Sequence, residues 1–189
     1  VFYRVVGDKN HADVAEQCLT VTIGKKPIDA PEADDTAFVY TGEEQSYTIA
    51  GSKDYSVSGS TQRNAGTHAV LVALADPANT KWSGTEDDSA ARTYPFVIQR
   101  AELVITVQDQ LVYVGGELPD LSAPEEKRDY TVSGLIGEDK LVKGPTLCYV
   151  PAEPDLTQPG TAAIQASGAD AGGNYEIQYA EGTLTISYY

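Results

Sequence analysis

The sequence predicts an all-β protein built from antiparallel sheets packed as sandwiches. Three observations predict it. Apolar residues alternate with polar ones at a period of two, and helical periodicity is nearly absent. The apolar runs are short and are separated by Gly, Asn, Asp and Pro, the residues that terminate and turn strands. Finally, one ordered set of motifs occurs twice, which marks a chain assembled from tandem modules. Val39-Tyr40-Thr41-Gly42, Asp54-Tyr55-Ser56-Val57-Ser58-Gly59, Asn64-Ala65-Gly66-Thr67 and Asn79 form the first series. Val112-Tyr113-Val114-Gly115, Asp129-Tyr130-Thr131-Val132-Ser133-Gly134, Gln158-Pro159-Gly160-Thr161 and Asn174 form the second.

Taken in order, Tyr3-Arg4-Val5-Val6, a Gly7-Asp8-Lys9-Asn10 turn and Leu19-Thr20-Val21-Thr22-Ile23 read as two strands ending a preceding module. A lone two-stranded ribbon is marginal, so residues 1–23 are expected to pack on the next module or to exchange strands with a neighbouring molecule. Tyr55 and Val57 share one strand face while Ser56 and Ser58 take the other. Val70, Val72 and Leu74 alternate with Ala69, Leu71 and Ala73. Tyr94-Pro95-Phe96-Val97-Ile98 closes the first full module, and Thr183-Leu184-Thr185-Ile186 closes the second. Tyr175, Ile177 and Tyr179 alternate with Glu176, Gln178 and Ala180, and the turn at Ala180-Glu181-Gly182 predicts a hairpin into that last strand. The expected modules are therefore 1–23, 24–101 and 102–189. Short joints after Ile23 and Ile98 leave little slack, so the array is expected to behave as a semi-rigid rod. The second module is longer because Gly134 and Gly160 are 26 residues apart where Gly59 and Gly66 are seven apart. The added stretch, within 135–157, holds Leu147-Cys148-Tyr149-Val150 and is expected to add a strand or hairpin at a sandwich edge, with prolines blunting edge pairing.

Composition narrows the functions. With 13 Lys+Arg against 28 Asp+Glu the net charge is −15, which disfavours nucleic acid and anionic membrane as partners. No run approaches the length of a membrane helix, so no membrane insertion is expected of this stretch. The chain has no Met, which suggests a portion of a longer polypeptide. Its two cysteines, Cys18 and Cys148, fall in different modules without metal-site spacing, so each is expected as a free thiol replacing a small apolar residue, an intermolecular disulfide being the alternative.

Sites for chemistry are sparse. Nucleophile-elbow, dinucleotide and phosphate-loop patterns are absent, and no catalytic residue or cofactor is expected. His68 is in phase with Val70 at a strand start and His11 lies in a polar turn, neither suggesting a triad. Two acidic loops, one with Asp34 and Asp35 and one with Asp87 and Asp88, are the candidates for calcium, although neither has the ligand spacing of a calcium loop. Solvated loops of an acidic protein explain them as well. The 12 tyrosines fall mostly at alternating strand positions. Tyr55 with Tyr130, and Tyr40 with Tyr113, recur at shared motif positions, as core or corner residues do. Trp82, the single Trp, sits beside Lys81 in a loop-like turn and is the first candidate for stacking on a ligand. Tyr149 in the added stretch is a further candidate.

The ordered motifs of the second module, with Gly160-Thr161-Ala162-Ala163-Ile164 and Asn174-Tyr175-Glu176-Ile177, resemble the MBG-type and related bacterial immunoglobulin-like repeats of cell-surface proteins. The first module is similar to a shorter relative. The resemblance implies tandem immunoglobulin-like domains in an exported bacterial surface protein, serving as stalk, spacer or adhesion modules and carrying no catalytic residues. Expected partners are neighbouring repeats and a host or cell-wall glycan or protein.

Overall fold

The computed structural model describes residues 1–189 and contains strands, turns and irregular segments but no helix. A two-stranded ribbon pairs β1 (Phe2–Tyr3) with β2 (Gln17–Cys18). Residues 24–101 hold β3 (Lys26–Ile28), β4 (Phe38–Val39), β5 (Gln45–Ser46), β6 (Tyr55–Ser58), β7 (Thr61–Gln62), β8 (Gly66–Leu74), β9 (Thr80–Trp82) and β10 (Arg92–Gln99). Residues 102–189, with Ala101, hold β11 (Ala101–Val107), β12 (Gln110–Tyr113), β13 (Tyr130–Ser133), β14 (Thr146–Val150), β15 (Gly160–Ser167), β16 (Tyr175–Ala180) and β17 (Gly182–Ser187). By contact density the chain forms two compact units. One comprises Val1–Glu32, Ala50–Val57 and Val72–Arg92; the other comprises Ala33–Ile49, Ser58–Leu71 and Thr93–Tyr189.

The all-β class holds, and the strand faces follow the alternation. Val70, Val72 and Leu74 are buried while Ala69 and Leu71 are exposed. Leu103, Ile105 and Val107 point inward from β11, and Leu184 and Ile186 from β17. Each such side chain removed from water contributes about 1.5–3 kcal/mol. The pairing is mixed rather than purely antiparallel: β3 with β9, β4 with β10, β11 with β16 and β12 with β17 are all parallel. Alternation specifies which face of a strand is buried and is silent on its direction, so parallel pairing could not be read from it.

In 102–189 the sheets are β12-β17-β15-β14 and β13-β11-β16. Val107, Val112, Leu147, Ala162, Ile164, Leu184 and Ile186 form the core that joins them. In 24–101 the corresponding orders are β4-β10-β8-β6 and β3-β9, with β5 and β7 as a separate pair. The comparison explains the added stretch. The Asp-Tyr-x-Val-Ser-Gly strand lies beside β8 in the first copy, as β6, but beside β11 in the second, as β13. The place next to β15 is taken by β14, which is paired residue for residue from Thr146↔Ser167 to Val150↔Ala163. The insertion therefore supplies an edge strand and releases the motif strand to the facing sheet.

Three expectations are corrected. β16 and β17 do not form a hairpin: β16 runs parallel to β11, whereas β17 lies between β12 and β15. Only Glu181 separates them, too little for a two-residue hairpin turn. Gly182 makes the crossing between sheets, since a Cβ there would lie 2.7 Å from the Gln108 carbonyl oxygen. Residues 19–23 form no strand. Val21 and Ile23 are 68% and 93% exposed, whereas Phe96 and Ile98 in β10 and Leu184 and Ile186 in β17 are at most 4%. β10 and β17 are flanked on both sides, whereas 19–23 joins no sheet beyond Leu19, which exchanges backbone hydrogen bonds with Val1. Tyr113 is not a core residue either. The Tyr40 amide donates to the Gln99 carbonyl and the Val114 amide to that of Ser187, so the shared motif is offset by one residue in the ladder. A one-residue offset reverses the face. Tyr40 is buried, while Tyr113 is 37% exposed and stacks on Tyr189 at 4.1 Å.

Candidate functional site

Trp82 lies in the first unit. It ends β9, opposite Ile28 in the parallel ladder, and is fully buried rather than displayed on a loop. Its indole Nε1–H donates to the Ala90 carbonyl at 2.7 Å, Tyr55 lies against its ring, and the Arg92 guanidinium sits 5.7 Å from the ring centroid. Both the polar tip and the rings of this side chain are engaged, so no face is left for a ligand in this structure. The turn signals around 76–80 and 83–88 concealed a three-residue strand. Lys81 donates to the Glu86 carbonyl at 2.7 Å and holds the loop that follows.

The acidic loops are tied into local structure. Asp88 accepts from the Ala90 amide and pairs with Arg92, and its backbone carbonyl accepts the Trp82 amide. Asp87 pairs with Lys25 at 3.2 Å. In the second unit Asp34 accepts from the amides of Thr36 and Thr48. Hydrogen bonding to the Thr36 side chain first, then to the Thr48 and Thr36 amides, holds its carboxyl down at about 2. Tyr47 reinforces the loop by accepting the Asp34 amide. Asp35 is exposed beside it. No group of three or more potential ligands gathers around any of these four acids.

Tyr149 is the remaining candidate, and it borders a groove of about 600 Å³ in the second unit. One wall is the edge strand β14 with Lys143 before it; the other is the Pro119–Pro124 loop, with Asp120 and Ser122. The Tyr149 hydroxyl lies 2.9 Å from the Pro119 carbonyl and 3.1 Å from Gln110 Oε1, which fastens the loop to the sheet. Burial pushes this phenol above its ordinary value. Asp120 caps its own turn through Ser122. Both cysteines are free and exposed, so neither fills a core position as expected, and Cys148 faces outward from β14. The histidines are engaged elsewhere: His11 with Asp8, and His68 with the Asn64 carbonyl. What the groove offers is an open, partly polar surface beside an unpaired strand edge, which suits contact with an extended or ring-shaped ligand.

A second cluster in this unit went unnoticed in the sequence. Tyr175 and Tyr40 both donate to Asp139 Oδ2, at 2.6 and 2.9 Å, and their rings meet edge-on at 5.5 Å. The hydrogen bonds, that from Tyr175 first, lower the Asp139 carboxyl. Burial, then Asp139, pushes the Tyr175 phenol up to about 12. The two tyrosines were legible as inward strand residues. Asp139 was not, because it sits in an inserted loop with no counterpart in the other copy.

The paired sheets and shared core of 102–189 are those of a β-sandwich. Residues 103–185 match the family model of the MBG domain (YGX type). This is the segment on which the motif resemblance rests, and the family is one of non-catalytic repeat modules occurring in surface proteins. No curated protein and no solved structure matches the chain.

Proposed function

We propose that this chain is a run of spacer modules from an exported bacterial surface protein, divided as 1–23, 24–101 and 102–189, whose task is to hold another domain away from the cell. The observation that carries this reading is where the candidate chemistry went. The indole is in the core, the acids brace loops, and the inserted segment completes a sheet. Those are demands of a scaffold rather than of an active site.

A glycan and extracellular-protein array with the purified chain tests the reading. Spacer function predicts no saturable binding above that of an unrelated acidic β-protein. Reproducible binding abolished by Tyr149→Phe or Lys143→Ala would instead make this an adhesive module. That second reading is favoured by one observation, the open groove beside β14. In it, an extended peptide or a glycan of the host or the cell wall would engage the strand edge.

A further inference from the structure

The boundary between the second and third expected modules falls at Gln99–Glu102, yet the compact second unit runs straight through it, taking in Ala33–Ile49 and Ser58–Leu71 together with Thr93–Tyr189. What ties these segments is a small number of specific bonds. Leu135 to Lys140 opens the insertion. Within it the Asp139 amide donates to the Ile136 carbonyl at 3.1 Å, closing a tight turn, and Gly137 takes φ +60° at its first central position. The turn aims Asp139 at Tyr40 and Tyr175, and Tyr175 Oη also accepts the Ile136 amide at 3.0 Å. One residue before Tyr175, Asn174 Oδ1 accepts the Ala65 amide at 2.9 Å, and its Nδ2 reaches Asn64 Oδ1 at 3.3 Å. Ile136 covers Gly42, where a Cβ would lie 3.0 Å from Ile136 Cγ2. Every one of these contacts joins a residue of 24–101 to one of 102–189, or orients a residue that does.

We propose that the 135–140 turn is a docking loop by which an insertion-bearing repeat grips the repeat before it, with Asp139 as the shared acceptor for one tyrosine from each. The inference rests on the module division proposed above and deepens the spacer reading by saying what makes a joint stiff. It also imposes an order. The repeat 24–101 has only six residues between Gly59 and Gly66, no such turn, and therefore no means of gripping a predecessor in this way. At the far end of 102–189, Tyr113 faces outward and Val114 takes the ladder place of Tyr40, so the place from which Tyr40 reaches Asp139 holds no phenol there. The partner that fits this surface is a repeat whose tyrosine faces inward as Tyr40 does, joined to an insertion-bearing repeat behind it.

Amide exchange read by NMR on the full chain tests this. The Ala65 amide, donated across the joint, should be protected, and Asp139→Ala should speed its exchange by about tenfold or more, the factor carried by losing a charge-assisted hydrogen bond. Tyr40→Phe keeps the ring and removes only the hydroxyl, and should act in the same direction. Asp155→Ala, which removes a turn cap at Thr157 elsewhere in the insertion, should leave Ala65 unchanged. Spin labels at Thr67 and Thr185, in a chain with Cys18 and Cys148 replaced by serine, should report one narrow distance that broadens in Asp139→Ala. An unprotected Ala65 amide, or exchange and distance unaffected by both Asp139→Ala and Tyr40→Phe, overturns the docking loop while leaving the spacer reading intact. A protected joint in a chain that binds a glycan through the β14 groove does the reverse.

Discussion

At the scale of single residues, the same amino acid serves different ends according to which atom is engaged. Trp82 looked like a surface aromatic because its neighbours are turn formers, but tertiary burial overrode that local context. Truncating it should show its weight: Trp82→Ala is expected to cost about 3–5 kcal/mol in chemical denaturation. A loss below about 1 kcal/mol, typical of a surface change, would contradict core placement. The motif glycines are the other decisive residues. Gly59 has φ +77° and a Cβ there would lie 2.5 Å from the Ala69 carbonyl oxygen. Gly134 has φ +103° and the corresponding distance is 2.4 Å to the Glu102 oxygen. Gly172 has a similar φ, +79°, with nothing nearby. Gly172→Ala should therefore cost only the conformational penalty of about 1 kcal/mol, and Gly59→Ala and Gly134→Ala distinctly more, since a neighbouring strand must also move. Equal melting temperatures for the three variants would remove the close-approach argument.

At the scale of strands, β14 is the element that distinguishes the two copies. Leu147 points into the core and Cys148 away from it. Leu147→Ala is expected to cost about 2–5 kcal/mol, while Cys148→Ser should stay within about 0.5 kcal/mol of the parent. Cys148 should also react with a thiol reagent in the native state, whereas slow labelling that accelerates only on unfolding would place it inside. These strands show what was readable beforehand. The inward faces of β8 and β17 follow directly from period-two alternation, because burial acts on each side chain separately. The insertion announced an extra edge strand through its length and its Leu-Cys-Tyr-Val run. Partner choice was hidden, because it depends on which sheet offers a vacant edge. The motif strand therefore pairs with β8 in one copy and β11 in the other, and β16 leads across to a different sheet instead of turning back. The Tyr40–Asp139–Tyr175 cluster was hidden for a related reason: it joins residues 99 and 36 positions apart, which no local pattern connects.

At the scale of the whole molecule, the acids and phenols that brace these loops set the pH range of the fold. Asp34, Asp129 and Asp139 have carboxyls held below the ordinary 3.8, by Thr36 and Thr48, by Arg128, and by Tyr175 and Tyr40 respectively. The unfolded chain takes up protons at these sites before the folded one does, so their stabilisation is complete above 3.8 and is lost as pH falls from there toward about 2, the value of Asp34. Tyr175 works in the opposite sense: with its phenol raised from 10.0 to about 12, its contribution is complete below 10.0 and lost as pH rises toward 12. Melting temperature should therefore be flat between about pH 5 and 9 and fall on both sides. A melting temperature sustained at about pH 2.5 would show that the carboxylates carry no such linkage.

The placement of the first and last strands of 102–189 has a mechanical consequence. In a spacer of the kind proposed, tension along the chain would enter 102–189 through β11, one residue after β10, and leave through β17. Neither is an edge: β11 lies between β13 and β16, and β17 between β12 and β15. A pull along either strand axis loads the hydrogen bonds on both of its sides in shear, so they must fail together rather than unzip one at a time. For an object that is tugged by its two ends, the most resistant strands are those to which the load is attached.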